Sequence, residues 1–292
     1  MLSISFLKQS KLLSASLCLL GAALCSSALQ ARPVDDVVDS GKLVVFAYSD
    51  YAPYSWKDEA GVAQGIDVEI ARRFGKSLGV DVEFLIGPAD ENLDDDLRVY
   101  IWKGDLVYHK TADVMMHAPF DREVDARNEF AVLSSPYFQE QMAVIFNQDI
   151  HPEVDTFGRF VSNPIAVELD TAGDFFLSAA FRGQLLESIR RGWTFKDAQL
   201  LYTTGEVGAL LASRAQAEWV AFSAPDINSK VVQPPMPGIV RTGWPVGIAV
   251  KHDSRDLGYA LGDVLTEMIE SGDMQAIYAK YGVEWLPVEL QQ

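Results

Sequence analysis

The sequence predicts an α/β protein built as two lobes joined by crossing strands. Three observations predict it. Lys42–Phe84 reads as strand, aromatic loop, short polar hairpin, helix and second strand. Strand-like and helical runs then keep alternating to the end of the chain. No internal repeat or low-complexity linker divides the 292 residues into independent modules, and that length permits one large domain or two small ones.

Residues 1–31 read as a targeting segment. Lys8 and Lys11 supply a positive start, Leu12–Leu24 is an uncharged apolar run, and Ser26-Ser27-Ala28 or Leu29-Gln30-Ala31 offers a small-residue cleavage site. The apolar run is short for the ~20 residues of a membrane span, so secretion is expected and membrane insertion is not. Both cysteines, Cys18 and Cys25, fall in this segment. Without it the chain has no thiol, which excludes disulfides, Cys-ligated metal and a Cys nucleophile. The remaining length, about 260 residues, can bury a sufficient core without cross-links. Loss of Lys8 and Lys11 takes the formal charge from −17 to −19. So acidic a surface disfavours nucleic acid and anionic membrane as partners.

The opening unit follows. Leu43-Val44-Val45-Phe46 is an apolar run suited to a buried strand. Tyr48, Tyr51, Tyr54 and Trp56 crowd the loop beyond its carboxyl end, where open α/β sheets bind ligands, and as a group they suit the wall of a cleft. Asp58-Glu59-Ala60-Gly61 is turn chemistry. Ile66, Ile70, Ala71, Phe74 and Leu78 recur at helical spacing until Gly79. Val80, Val82 and Phe84 alternate with Asp81 and Glu83, as in a strand with one wet face. Within this unit, Tyr51-Ala52-Pro53-Tyr54 followed by Gly65-Ile66-Asp67-Val68-Glu69-Ile70-Ala71 resembles the opening of the family 3 extracellular solute-binding proteins. Members of that family read Y-P-P-F, then G-F-D-V-D-L-A. The resemblance implies a type II periplasmic-binding-protein fold, two α/β lobes joined by two crossover strands, and a receptor for a polar amino-acid ABC importer.

Leu93, Leu97, Tyr100 and Ile101 form a helical stripe, with Asp94-Asp95-Asp96 in its first turn. That acidic run lacks the alternating oxygen ligands and turn glycine of a calcium loop. Asp105–Thr111 reads as an irregular insertion near the cleft. Ala112–Met116 resembles the family strand V-D-V-I-I, after which relatives hold a solute carboxylate with small hydroxyl residues and an Arg. Here the text is His117-Ala118-Pro119-Phe120-Asp121-Arg122. Arg122 is the candidate two-pronged grip on a carboxylate. His117, Ala118 and Phe120 replace the hydroxyls. This compressed loop also resembles that of binding proteins associated with periplasmic quinoprotein alcohol dehydrogenases.

Ser134–Phe138 resembles the family's F-S-D-P-Y-Y, and Ala143–Phe146 the first crossing strand. Pro164–Gly173 resembles a strand turning into a helix whose Thr171, Ala172 and Gly173 amides face the cleft, with Asp170 as its cap. Phe175, Phe176, Ala179 and Ala180 are expected in the core. Glu206–Ala215 reads as a helix, and Ala217–Ser223 as the family strand V-D-A-V-V-A-D. Gly243–Val250 resembles the second crossover, and Leu257–Tyr281 supplies closing helices separated at Gly272. The implied domains are 32–143 plus 247–292 for one lobe and 144–246 for the other.

Amino-acid receptors of this family pair the solute ammonium with acids, one ending the last family strand and one in the opening loop. Ser223 and Tyr48 stand at those places. A desolvated ammonium without a carboxylate costs several kcal/mol. Unless Asp50 or Asp226 sits nearby, the solute is expected not to be an ordinary α-amino acid. The candidate contacts are Tyr51, Trp56, His117, Phe120, Arg122, Thr171 and Ser223, whose aromatic faces and few charges suit a flat or partly apolar solute.

The expected activity is binding rather than catalysis. A periplasmic monomer captures a small-molecule solute for an ABC permease, without cofactor or metal. The alternative partner is a periplasmic quinoprotein dehydrogenase. An enzyme on the same scaffold, like the family relatives that are periplasmic dehydratases acting on cyclohexadienyl acids, needs an acid or base in the cleft. Glu168 and His117 are the nominees, but no nucleophile elbow, phosphate loop or zinc motif accompanies them. His109, His117, His151 and His252 lack metal-ligand spacing.

Overall fold

The opening unit forms as its pattern predicts, after one short helix. The structure, a computed structural model, describes residues 32–105, 109–239 and 241–288. The expected targeting segment, with Cys18 and Cys25, lies outside the described residues, as does 106–108 of the expected insertion. The first elements are α1 (Val34–Ser40), β1 (Lys42–Tyr48), the hairpin β2 (Trp56–Lys57) and β3 (Ala63–Gln64), α2 (Ile66–Leu78) and β4 (Asp81–Gly87). They continue through α3 (Leu93–Leu97), a π-turn at Arg98–Trp102, β5 (Val114–Pro119), α4 (Arg122–Arg127) and β6 (Ala131–Asn147). Next come β7 (Ile165–Glu168), α5 (Ala172–Ala179), β8 (Ile189–Gly192), α6 (Phe195–Thr203), β9 (Ala209–Ser213), α7 (Arg214–Ser223) and β10 (Ser229–Val232). The chain returns through β11 (Gly243–Lys251) to α8 (Arg255–Ser271) and α9 (Asp273–Lys280).

The strands line up as β4-β1-β5-β11-β6-β9-β7-β8, with β10 also pairing to β6. β1 runs parallel to β4 and β5, and β11 runs antiparallel to β5 and β6. The long strand β6 changes partners midway. Ala131–Gln141 pairs with β11, whereas the residues from Met142 onward pair with β9 and β10. Two α/β lobes result, joined by β6 and by the return into β11. Each lobe packs apolar residues on both faces of its strands. In the first lobe Ile70, Phe74, Leu261, Leu265 and Ile277 cover one face, and Phe46, Leu97, Ile101 and Met115 the other. In the second lobe Phe157, Phe160, Phe176 and Leu177 oppose Phe195, Ala198, Tyr202 and Val220.

Several expectations for the second lobe are overturned. Glu206–Ala215 is not a helix and Ala217–Ser223 is not a strand, because β9 takes Ala209–Ser213 and α7 takes Arg214–Ser223. β9 lies between β6 and β7 with every residue buried, so the alternation that marks a half-wet strand is missing. Ser213 and Gln216 form a capping box that starts α7. The cap of α5 is Thr171, not Asp170; its hydroxyl accepts from the Asp174 amide. Phe175 and Ala179, expected in the core, are exposed, whereas Phe176 and Ala180 are buried.

Helix α7 belongs to the second lobe, yet Ala215 and Trp219 pack against the core of the first. The segment after α9 fastens it there. Arg214 pairs with Glu218 and donates to the Glu284 carbonyl at 2.6 Å. The Glu284 amide donates to Glu218 at 3.0 Å, and the Trp285 indole donates to the Tyr137 carbonyl on β6 at 2.9 Å.

Candidate functional site between the lobes

The aromatic loop after β1 is held from beneath by the first turn of α2. The Ile66 and Asp67 amides, orphan donors at a helix start, donate to the Pro53 and Tyr54 carbonyls at 3.0 and 2.9 Å. Gly65 makes this approach possible. At φ +121° a side chain is strained, and a Cβ there would lie 2.2 Å from the Tyr54 carbonyl oxygen. In this way the G-x-D-V text of α2 fixes the Tyr-rich loop over the sheet.

Below the loop lies a buried polar cluster. Tyr137 donates to Asp67 at 2.8 Å, and Tyr54 donates to Glu140. Nδ1 of His117 is 3.5 Å from the second Asp67 oxygen. His117 is 3% exposed, and among the described residues neither ring nitrogen has a hydrogen-bond partner. The His117 ring lies 3.8 Å from the Tyr54 ring and 5.3 Å from the Tyr51 ring, centroid to centroid. Tyr51 in turn meets Tyr48 edge-on. The Tyr48 hydroxyl donates at 2.7 Å to Asp96, the third acid of the α3 first turn. Burial raises the Asp96 carboxyl, a shift the Tyr48 bond opposes. Burial also pushes the Tyr51 hydroxyl well above its ordinary range, with Glu140, Glu168 and Asp67 adding to the effect. Tyr51 is therefore a neutral hydroxyl at neutral pH.

A cavity of about 530 Å³ opens above these rings. The first lobe lines it with Tyr48, Asp50, Tyr51 and His117, and the second with Glu168, Trp193 and Thr194; Trp244, on the β11 crossover, adds to the wall. A second cavity of about 190 Å³ shares Tyr51, Glu168 and Trp244 and continues past Thr171, Ala172, Gly173 and Ser213. Among the described residues no Lys or Arg lines either cavity. The charged side chains on their walls are the carboxylates Asp50 and Glu168. Burial raises the Glu168 carboxyl above its ordinary value and Asp197 adds to this, while the Phe195 amide opposes it. The site can thus hold a solute of a few hundred Å³ between aromatic faces, with acceptors on both sides. Among the described residues no group of three His, Cys, Asp or Glu side chains is arranged to hold a metal ion.

Of the residues singled out from the sequence, Tyr51, His117 and Thr171 line these cavities. Trp56 instead packs against Trp219 and Tyr281, at ring distances of 5.6 and 5.9 Å. Phe120 packs on the first-lobe core. Arg122 is exposed at the start of α4, whose cap is Asp121. Ser223 ends α7, where its hydroxyl donates to the Val220 carbonyl. The residue that ends β9 is Ser213, ten positions before Ser223. Acids are nevertheless present, because Asp50 and Glu168 both line the cavity. Trp193 and Trp244 were not legible as site residues. Each stands next to a strand terminus, which was the available signal.

Comparison with known proteins adds the following. The model of the bacterial extracellular solute-binding proteins, family 3, matches residues 43–98. The L-cystine-binding protein TcyJ of Escherichia coli strain K12 is 22% identical over 253 residues, 85% of each chain. A cyclohexadienyl dehydratase of Pseudomonas aeruginosa is 42% identical over 60 residues, 20% of this chain and 22% of the enzyme, so the chain spans only about a fifth of that relative in the match. Among solved structures, an ancestral cationic amino acid solute-binding protein aligns with a TM-score of 0.68 at 23% identity, over 85% of this chain and 98% of its own. An amino acid ABC transporter substrate-binding protein from Streptococcus pneumoniae, bound to L-arginine, aligns with a TM-score of 0.64 at 20% identity, over 89% and 100%. These alignments establish the fold.

Proposed function

We propose that this chain, a relative of the bacterial extracellular solute-binding proteins of family 3, captures a small solute between its lobes in the periplasm and delivers it to an ABC permease. The observation that carries this reading is the composition of the cavity wall. Side chains from both lobes and from a crossover strand line one space, so a solute bound there favours the arrangement in which the lobes approach. The two lobes are read as 32–143 plus 247–292 and 144–246, hinging where β6 changes partners. Tyr51, His117 and Thr171 remain the solute contacts from the sequence, joined by Asp50, Glu168, Trp193 and Trp244.

The solute is not an ordinary α-amino acid, though not for want of an acid to meet the ammonium. A buried carboxylate needs a cationic partner or several donors, and Arg122, its candidate grip, is out on the surface. The same absence speaks against turnover of a cyclohexadienyl acid, although Glu168 and His117 do share the cavity. A thermal-shift screen of amines, amino acids and organic acids tests the reading. A true solute at a hundred times its Kd stabilises by about 2.7 kcal/mol, a rise in Tm of roughly 5–10 °C. Stabilisation by none of these classes, with co-purification of a quinoprotein dehydrogenase, would assign the protein to that partner instead.

A further inference from the structure

We propose that the inter-lobe cavity selects a compact organic cation with an aromatic or apolar body and no carboxylate. This rests on the solute-binding reading and specifies its chemistry. Asp50 lines it from the first lobe and Glu168 from the second, with no Lys or Arg on the walls among the described residues. A cation placed between them neutralises both, and its contacts with the two lobes are made together only when both are near. Trp193 and Trp244 supply indole faces beside these acids, and a cation over an aromatic face gains a further attraction. Trp193 is 83% exposed, so its indole is open to a solute that enters the cavity.

His117 points the same way. His117 lines the same cavity, and neither of its buried ring nitrogens has a hydrogen-bond partner among the described residues. A buried acceptor without a partner suits an N–H-bearing solute. Negative charge is favoured by the start of α5 at Ala172 and Gly173, through its helix dipole alone. A carboxylate brought beside Glu168 would be desolvated next to a second acid. The acids therefore decide the sign.

Two matched probe sets test this by calorimetry on the secreted protein: 2-phenylethylamine, L-phenylalanine and 3-phenylpropionate, and agmatine with L-arginine. The amine of at least one set is expected to bind at least tenfold more tightly than its carboxylated counterpart. Asp50→Asn and Glu168→Gln should each weaken that amine about tenfold or more. Asp50 is exposed at φ +52°, a conformation Asn tolerates, so that variant keeps the fold even if Glu168→Gln does not. Equal or tighter binding of an amino acid or of 3-phenylpropionate overturns the cation assignment while leaving a solute receptor. Binding of no probe overturns it too, and an empty broad screen would then remove the receptor reading as well.

Discussion

Gly65 and Glu168 each meet two demands at once. Gly65 combines positive φ with a 2.2 Å approach to the Tyr54 carbonyl, whereas Gly61 has positive φ and open space around it. Gly65→Ala should cost about 2–3 kcal/mol in denaturant unfolding, and Gly61→Ala about 1 kcal/mol. Equal costs would show that the loop is not seated on α2 through this contact. Glu168 is raised in the folded state by burial, so ionising it costs more there than in the unfolded chain. Its stabilising contribution is complete below the unfolded carboxylate range and is lost as pH rises through the raised value. Glu168→Gln should therefore stabilise the solute-free protein at pH 7 while leaving it little changed near pH 3. Loss of stability at pH 7 would mean that the carboxylate is held by stronger donors than the Phe195 amide.

At the scale of elements, α7 and the segment 283–286 tie the second lobe to β6. Arg214→Ala leaves Glu218 half-buried without its cation, and should cost about 3–5 kcal/mol by thermal or urea unfolding. Arg214→Met combined with Glu218→Leu should recover most of that; no recovery would place the role of Arg214 in its bond to Glu284. The first lobe was legible because periodicity, turn and glycine agree over Asp58–Gly79. The stretch Glu206–Ser223 was not. Its strand is buried on both faces, and the adjoining helix presents Ala215, Trp219 and Val220 to two different cores, so neither shows its own period. Of the site, Tyr51 just past β1 and His117 inside β5 could be read; both reach the cavity wall, in the order in which the sequence presents them. Arg122 could not, since its meaning depended on the direction of a loop that Asp121 turns outward into α4. Trp193 and Trp244 are brought together only by tertiary folding, which local pattern does not encode.

For the molecule as a whole, β6 and the return into β11 are the continuous connections between lobes that share one cavity. With a formal charge of −17 and two carboxylates in the cleft, attraction of a cationic solute should be salt-dependent in rate. Its association rate should fall severalfold between about 0.01 and 0.15 M ionic strength in stopped-flow Trp fluorescence, with dissociation less affected. A salt-independent rate would remove long-range steering. The most direct measurement is small-angle X-ray scattering of the wild-type protein and Glu168→Gln, each with and without the amine that binds tightest. The wild-type radius of gyration should fall on addition of the amine, and that of the variant should fall only at about tenfold higher amine or beyond. An unchanged radius in the wild type at saturating amine would contradict capture between closing lobes.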